Sequence, residues 1–218
     1  VDNKGIEVFL GFNKQVNKDW NVGFRGTFTY AKNEIIELDE APGVLGTNRS
    51  RTGSPVNQLF GLIAERLYTE DDFEDVAKGK LKEGIPSPTF GAVRPGDIKY
   101  KDMDDDGVIT SMDASAIGGT YDPQIVYGIG ANASYKGFDL NVFFQGNGRT
   151  WRFIGGNNFI PGSSMGAMGN ILANYNDRWT PENPSDEVFY PRLSYGVNEN
   201  NRQQSTWWLR NMSMLRMR

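Results

Sequence analysis

From Trp20 to Tyr30 apolar and polar residues take turns along the chain. Trp20, Val22, Phe24, Gly26, Phe28 and Tyr30 fall on one side, and Asn21, Gly23, Arg25, Thr27 and Thr29 on the other. A period of two is that of a β-strand, whose successive side chains point to opposite faces. The segment before it sets Ile6, Val8, Leu10 and Phe12 against Glu7, Phe9 and Gly11, and a short turn over Lys14 to Asp19 joins the two into a hairpin. A second hairpin runs from Ile125, with Tyr127, Ile129, Ala131, Ala133 and Tyr135 on one side, and turns at Lys136-Gly137. It returns with Phe138, Leu140, Val142 and Phe144 alternating with Asp139, Asn141, Phe143 and Gln145. A fifth strand is predicted across Thr206 to Met217, where Trp207, Leu209, Leu215 and Met217 share a side.

Each of these strands spans roughly ten residues, the length a tilted strand needs to cross a bilayer, whereas globular strands average about 5 to 6. The faces opposite the greasy ones are small and polar, as in a strand that looks into a wet lumen. A two-sheet sandwich would bury the greasy faces against each other instead. Alternation alone leaves both architectures open. The connections favour the barrel: turns within hairpins are tight, while the excursions over residues 31–124 and 147–205 are long, the asymmetry of an outer-membrane barrel. Because the strand ending at Tyr30 and the one starting near Ile125 run in opposite senses, an even number of crossings lies between them, and zero is the expectation. Within the first excursion a strand over Val56 to Tyr68 and a capped short helix from Thr69-Glu70-Asp71-Asp72 towards Gly79 are predicted. In the second, Met165, Met168, Ile171, Leu172 and Tyr175 stand at helical spacing over Ser164 to Tyr175.

Composition narrows the chemistry. Of 218 residues 26 are Gly and 20 are Asn, which suits turns and small-residue strands better than packed helices. With no Cys and no His, thiol nucleophiles, Ser-His-Asp triads and the usual zinc sites lack parts, so an enzyme is not expected. Net charge is -4 and no basic face forms, which argues against nucleic acid as a partner. Residues 65–113 carry a net -6 by themselves, so one acidic module sits in a neutral background. Val1 opens without the basic and apolar stretches of a signal peptide, as in a processed start or an internal segment.

Inside that module, residues 102–113 read Asp-Met-Asp-Asp-Asp-Gly-Val-Ile-Thr-Ser-Met-Asp and match the twelve-residue calcium loop at its first, third, fifth, sixth and twelfth positions. Hard oxygens at alternate positions can wrap one cation: Asp102, Asp104 and Asp106 by their side chains, Val108 by its carbonyl, and Asp113 where Glu is usual. Gly107 permits the sharp turn and Ile109 anchors the loop by burial. Pro95 to Tyr100 look extended, so the loop lacks the paired helices of a sensor, and a structural calcium in the weak range of roughly 10⁻⁴ to 10⁻³ M is the expectation. The plain reading of the same residues is a solvated Asp-rich turn.

Other motifs carry less. Gly128-x-Gly130-x-x-Ala133 imitates a dinucleotide fingerprint, yet the following residues keep alternating and open no helix for a pyrophosphate. The pairs Asp71-Asp72 and Asp186-Glu187 read as solvated surface rather than glycosidase carboxylates. Trp151, Trp207 and Trp208 suit sugar stacking or an interfacial girdle, and for Trp207 and Trp208 the girdle is favoured.

Six blocks together resemble a known family. Lys4-Gly5-Ile6-Glu7, Tyr30-Ala31-Lys32-Asn33-Glu34-Ile35, Pro95 to Tyr100 with the Asp loop, Tyr135 to Leu140, Asp177 to Pro184 and Ser205 to Arg210 are similar, in the same order, to SusC/RagA-type TonB-dependent transporters. The resemblance implies an all-β fold: antiparallel strands of a large, here incomplete, transmembrane β-barrel of about 22 strands, with long extracellular loops containing short helices. It makes residues 1–218 part of one barrel domain from the C-terminal half, and 31–124 and 147–205 extracellular excursions. It implies import of oligosaccharides or peptides across the outer membrane of Bacteroidetes-like Gram-negative bacteria. The implied partners are a SusD-like surface lipoprotein, membrane lipid, and TonB engaged through an N-terminal part outside this chain. It also supports calcium at Asp102, Asp104, Asp106, Val108 and Asp113. The rival from another class is a soluble, calcium-stabilised carbohydrate-binding β-sandwich module.

Overall fold

A computed structural model describes residues 1–156, 159–161 and 171–218. The chain begins with a long hairpin, β1 (Asp2–Gln15) and β2 (Trp20–Glu34), paired antiparallel from Asp2↔Glu34 to Gln15↔Asn21. β2 runs four residues past Tyr30, because the ladder to β1 continues there. Eight short strands follow: β3 (Gln58–Gly61), β4 (Ala64–Leu67), β5 (Phe73–Asp75), β6 (Lys80–Leu81), β7 (Ser87–Pro88), β8 (Ile98–Tyr100), β9 (Val108–Ile109) and β10 (Ser115–Thr120). They form four two-stranded ladders away from the long hairpins, β3 with β10, β4 with β8, β5 with β6 and β7 with β9. The second long hairpin is β11 (Ile125–Tyr135) and β12 (Phe138–Gly148); β13 (Trp151–Phe153), β14 (Leu209–Asn211) and β15 (Met214–Met217) complete the chain.

The principal sheet has the order β1-β2-β11-β12-β15, so β2 pairs directly with β11 and the 90-residue stretch between them adds no strand to it. Its register brings every greasy face into line. Phe12 lies opposite Phe24, Phe24 opposite Ala131, and Ala131 opposite Val142; Tyr127 is flanked by Phe28 and Gly146, and Gly146 by Leu215. A one-residue slip on any strand would throw its whole set to the other side. At one end Trp20 stacks on Tyr135 with ring centroids 4.5 Å apart. On the other face Gly128 and Gly130 leave room for the Phe143 ring, over which the Arg25 guanidinium lies at 4.7 Å. No second sheet packs on the greasy face among the described residues: Leu10 is 61% exposed, Phe138 79% and Leu140 63%. Among the described residues β1 has β2 as its one neighbour, so its other edge carries an unpaired row of backbone groups there.

The hydrophobic core lies elsewhere, among the short ladders and the second excursion. Leu62, Leu67, Ile98, Tyr100, Ile109, Ile160, Tyr190 and Trp208 form one cluster, and Tyr68, Phe73 and Val93 a second. Burying each such side chain is worth about 1.5–3 kcal/mol, which allows segments with little regular structure to hold their shape.

Several expectations change. The fifth strand is broken: Thr206–Trp208 is a turn, β14 pairs with β13, and only β15 joins the principal sheet. Trp208 is buried in the core, its indole N–H donating to the Asn201 carbonyl at 2.7 Å, and Trp207 donates to the Phe189 carbonyl. Neither belongs to a girdle, because both find their polar partner inside the fold. The strand over Val56–Tyr68 is two short ones, β3 and β4. The helix from Thr69 shrinks to a 3-10 turn, Glu70–Asp72, because β5 begins at once. The helix over Ser164–Tyr175 falls outside the described residues up to residue 170; Ile171–Tyr175 are coil and turn.

Candidate functional site

The acidic loop hangs from β8. Leu67, Arg66 and Ala64 of β4 pair with Ile98, Lys99 and Tyr100, which fixes where Asp102 starts. On the far side β8 is gripped by the second excursion: the Ile98 N–H donates to Asn201 Oδ1, Asn200 Nδ2 donates to the Ile98 carbonyl, and the Tyr100 hydroxyl donates to the Asn200 carbonyl. Next to it Asp97, fully buried, accepts from Arg192 Nε at 3.0 Å, Arg192 Nη2 at 2.9 Å, Asn198 at 2.9 Å, Asn201 at 2.8 Å and the Arg94 N–H. Beside this polar knot the Trp179 ring lies against the bare Cα side of Gly96, where φ is +87° and a Cβ would stand 2.3 Å from the ring. A further ion pair joins Arg66 to Asp72 through two bonds of 2.6 Å, and the Thr69 N–H adds a third at 2.8 Å. Burial opposes the charge on Asp72, but Arg66 and Thr69 outweigh it and bring its pKa to about 2.

Within the loop, Asp102, Asp104 and Asp106 each present a carboxylate oxygen within 4.8 Å of the others. Asp102 Oδ2 accepts from the Gly107 N–H, while its Oδ1 is buried and has no hydrogen-bond partner. Desolvation, and after it the charges of Asp106, Asp113 and Asp102, hold the Asp104 carboxyl above its ordinary value. Left-handed backbone at Asp105 and Gly107 makes the bend. Ile109 is fully buried and anchors the loop. Asp113, also fully buried, stands apart from the three-carboxylate group and accepts from the Met103 and Thr110 N–H groups, tying the two ends of the loop together. Val108 donates its N–H to Asp106. The donor set is all hard oxygen, and an orphaned buried oxygen beside two further carboxylates fits a calcium-sized cation.

The sequence pointed to the Asp loop and missed the knot that carries it. Asp97 meets Arg192, Asn198 and Asn201 across separations of 95 to 104 residues, so no local spacing announces them.

No protein-family model matches the chain. Two curated proteins of Formosa agariphila are similar to it: TonB-dependent receptor P3, 26% identical over 208 aligned residues and 88% of this chain, and TonB-dependent receptor P26, 26% identical over 200 residues and 86% of this chain. The chain spans 19% of the length of each. Among solved structures, that of the RagAB peptide transporter superposes on 98% of the chain with a TM-score of 0.60 at 22% identity, covering 21% of that chain. The RagAB peptide importer in its closed-closed state gives 0.60 at 21% identity over 99% of this chain and 22% of that one. The resemblance to SusC/RagA-type TonB-dependent transporters drawn from the six sequence blocks is thus borne out across almost the whole chain. The relatives are named receptors and transporters, not enzymes.

Proposed function

We propose, on that relationship, that the chain is part of the wall and outer loops of an outer-membrane TonB-dependent transporter. It acts with a SusD-like lipoprotein over its mouth and with TonB engaged through another part of the polypeptide, and it imports oligosaccharides or peptides. The principal sheet is barrel wall. The short ladders and the second excursion, held together by the Asp97 knot, are extracellular surface. The observation that carries the reading is the uncovered greasy face. Four strands of 14, 15, 11 and 11 residues and the short β15 align their apolar side chains in register, and the fold's core forms without them. Lipid is the environment in which such a face is stable. A soluble carbohydrate-binding sandwich would seal the same side chains beneath a second sheet.

Membrane fractionation of the longer polypeptide that carries this chain tests the proposal. Recovery with the outer membrane, resistant to salt and alkaline extraction, is expected; recovery in the soluble fraction ends the reading. The Asp loop holds a structural calcium through Asp102, Asp104, Asp106 and the Val108 carbonyl, with Asp113 closing the loop. Calorimetric titration with calcium beside Asp104→Ala examines this: the native protein releases or absorbs heat on saturation and the variant does not. Identical isotherms refute it.

A further inference from the structure

Where β2 ends and β11 begins, a groove runs along β3. Two adjoining hollows of about 440 and 590 Å³ share Arg51, Gln58, Leu59, Phe60 and Tyr121, and Arg152 with Phe153 closes the far end. Its charge is unbalanced. The Arg51 guanidinium lies over the Phe60 ring at 5.5 Å and the Arg152 guanidinium over the Tyr121 ring at 3.0 Å, and neither has a carboxylate partner among the described residues. Arg152 Nη1 is shut off from solvent with no hydrogen bond among the described residues. The one acid lining the groove among the described residues, Asp122, accepts from the neutral Asn57 amide at 2.7 Å. In the β13–β14 ladder Arg152 stands directly opposite Arg210, a like-charge pairing that destabilises a ladder. A guanidinium nitrogen shut off from solvent without a partner, beside a second cation, costs stability unless something anionic completes it. A guanidinium edge matches a carboxylate with two parallel bonds.

We infer that this groove binds an acidic oligomer, with carboxylates seated on Arg51 and Arg152 and its backbone along Phe60 and Tyr121. The inference rests on the transporter reading in one respect, that the occupant is cargo; the binding itself does not. Acidic peptides and uronic-acid oligosaccharides share this chemistry, and the probes separate them.

Calorimetry on the longer polypeptide in detergent compares a short oligo-aspartate peptide with its asparagine counterpart, and a short uronic-acid oligosaccharide with its neutral counterpart. One acidic probe binds and its neutral counterpart does not, and added salt weakens the binding. Arg51→Gln and Arg152→Gln each weaken it about tenfold or more. Should Arg152→Gln disturb the β13–β14 ladder, Arg51→Gln on its exposed side chain still decides. Equal binding of acidic and neutral probes, indifference to Arg51→Gln, or no binding by either acidic probe overturns the inference. A membrane-embedded importer indifferent to both arginines sinks the groove alone. A soluble protein whose groove still takes the acidic probe sinks the transporter reading alone.

Discussion

Replacing Asp97 by Asn preserves shape and removes the charge at the centre of the polar knot. Every group around that carboxylate is a donor: two from Arg192, one each from Asn198 and Asn201, and the Arg94 N–H. An amide there must turn an N–H₂ towards one of them and leave Arg192 without its counter-ion. Removing one partner of a buried pair costs about 3–5 kcal/mol. The Arg192 side chain is 26% exposed, so water recovers part of the loss and the lower end, about 3 kcal/mol, applies. That corresponds to a rise of about a hundredfold in the opening equilibrium where β8 meets the second excursion. Native-state hydrogen exchange reads it directly, since the Ile98 N–H donates to Asn201 and the Arg192 N–H to the Gly96 carbonyl. Both amides should lose protection together while those of β2 and β11 keep theirs. Protection changed by less than about threefold would refute the argument, as would strict additivity of Asp97→Ala and Arg192→Ala in the double variant.

Three further outcomes follow from the same geometry. Asp72 has a folded-state pKa of about 2, below its ordinary value near 3.8, so its contribution is complete above about pH 4 and is lost as the pH falls through 2; exchange at the Glu70–Phe73 turn, compared between pH 5 and pH 2, should show it, and Asp72→Asn should abolish the dependence. Gly96→Ala combines a left-handed φ of +87° with a Cβ 2.3 Å from Trp179, and should shift the Trp179 fluorescence and lower the melting temperature of the loop region. Phe24→Arg, on the greasy face, should cost about 2–4 kcal/mol in lipid if that position lies near the midplane, measured by reversible unfolding in vesicles; a cost indistinguishable from Arg25→Ala would contradict lipid contact.

The long strands were legible because period two is written into neighbouring residues. The break between β14 and β15 was not: Leu209, Leu215 and Met217 keep one parity across Met212 and Ser213, so the pattern reads through a gap that only pairing with two different partners reveals. Trp208 looked like part of a girdle for the same reason. Its burial is decided by Asn201 and Tyr190, which the linear sequence does not put beside it. Thr69-x-x-Asp72 carries a helix-start signal, yet Arg66, six residues before Asp72, holds that carboxylate and the chain turns straight into β5. The Asp loop, whose donors fall within twelve residues, could be found by spacing. The arginines of the groove come from segments a hundred residues apart and could not.

The free margin of β1 has a practical consequence. Fourteen residues of extended backbone with nothing alongside are a template for whichever strand arrives first. In the barrel proposed above, a neighbouring strand would claim that place. In a test tube two copies of the segment, expressed alone, will seize each other there, so sticky dimers and fibrils are to be met with before any well-behaved monomer.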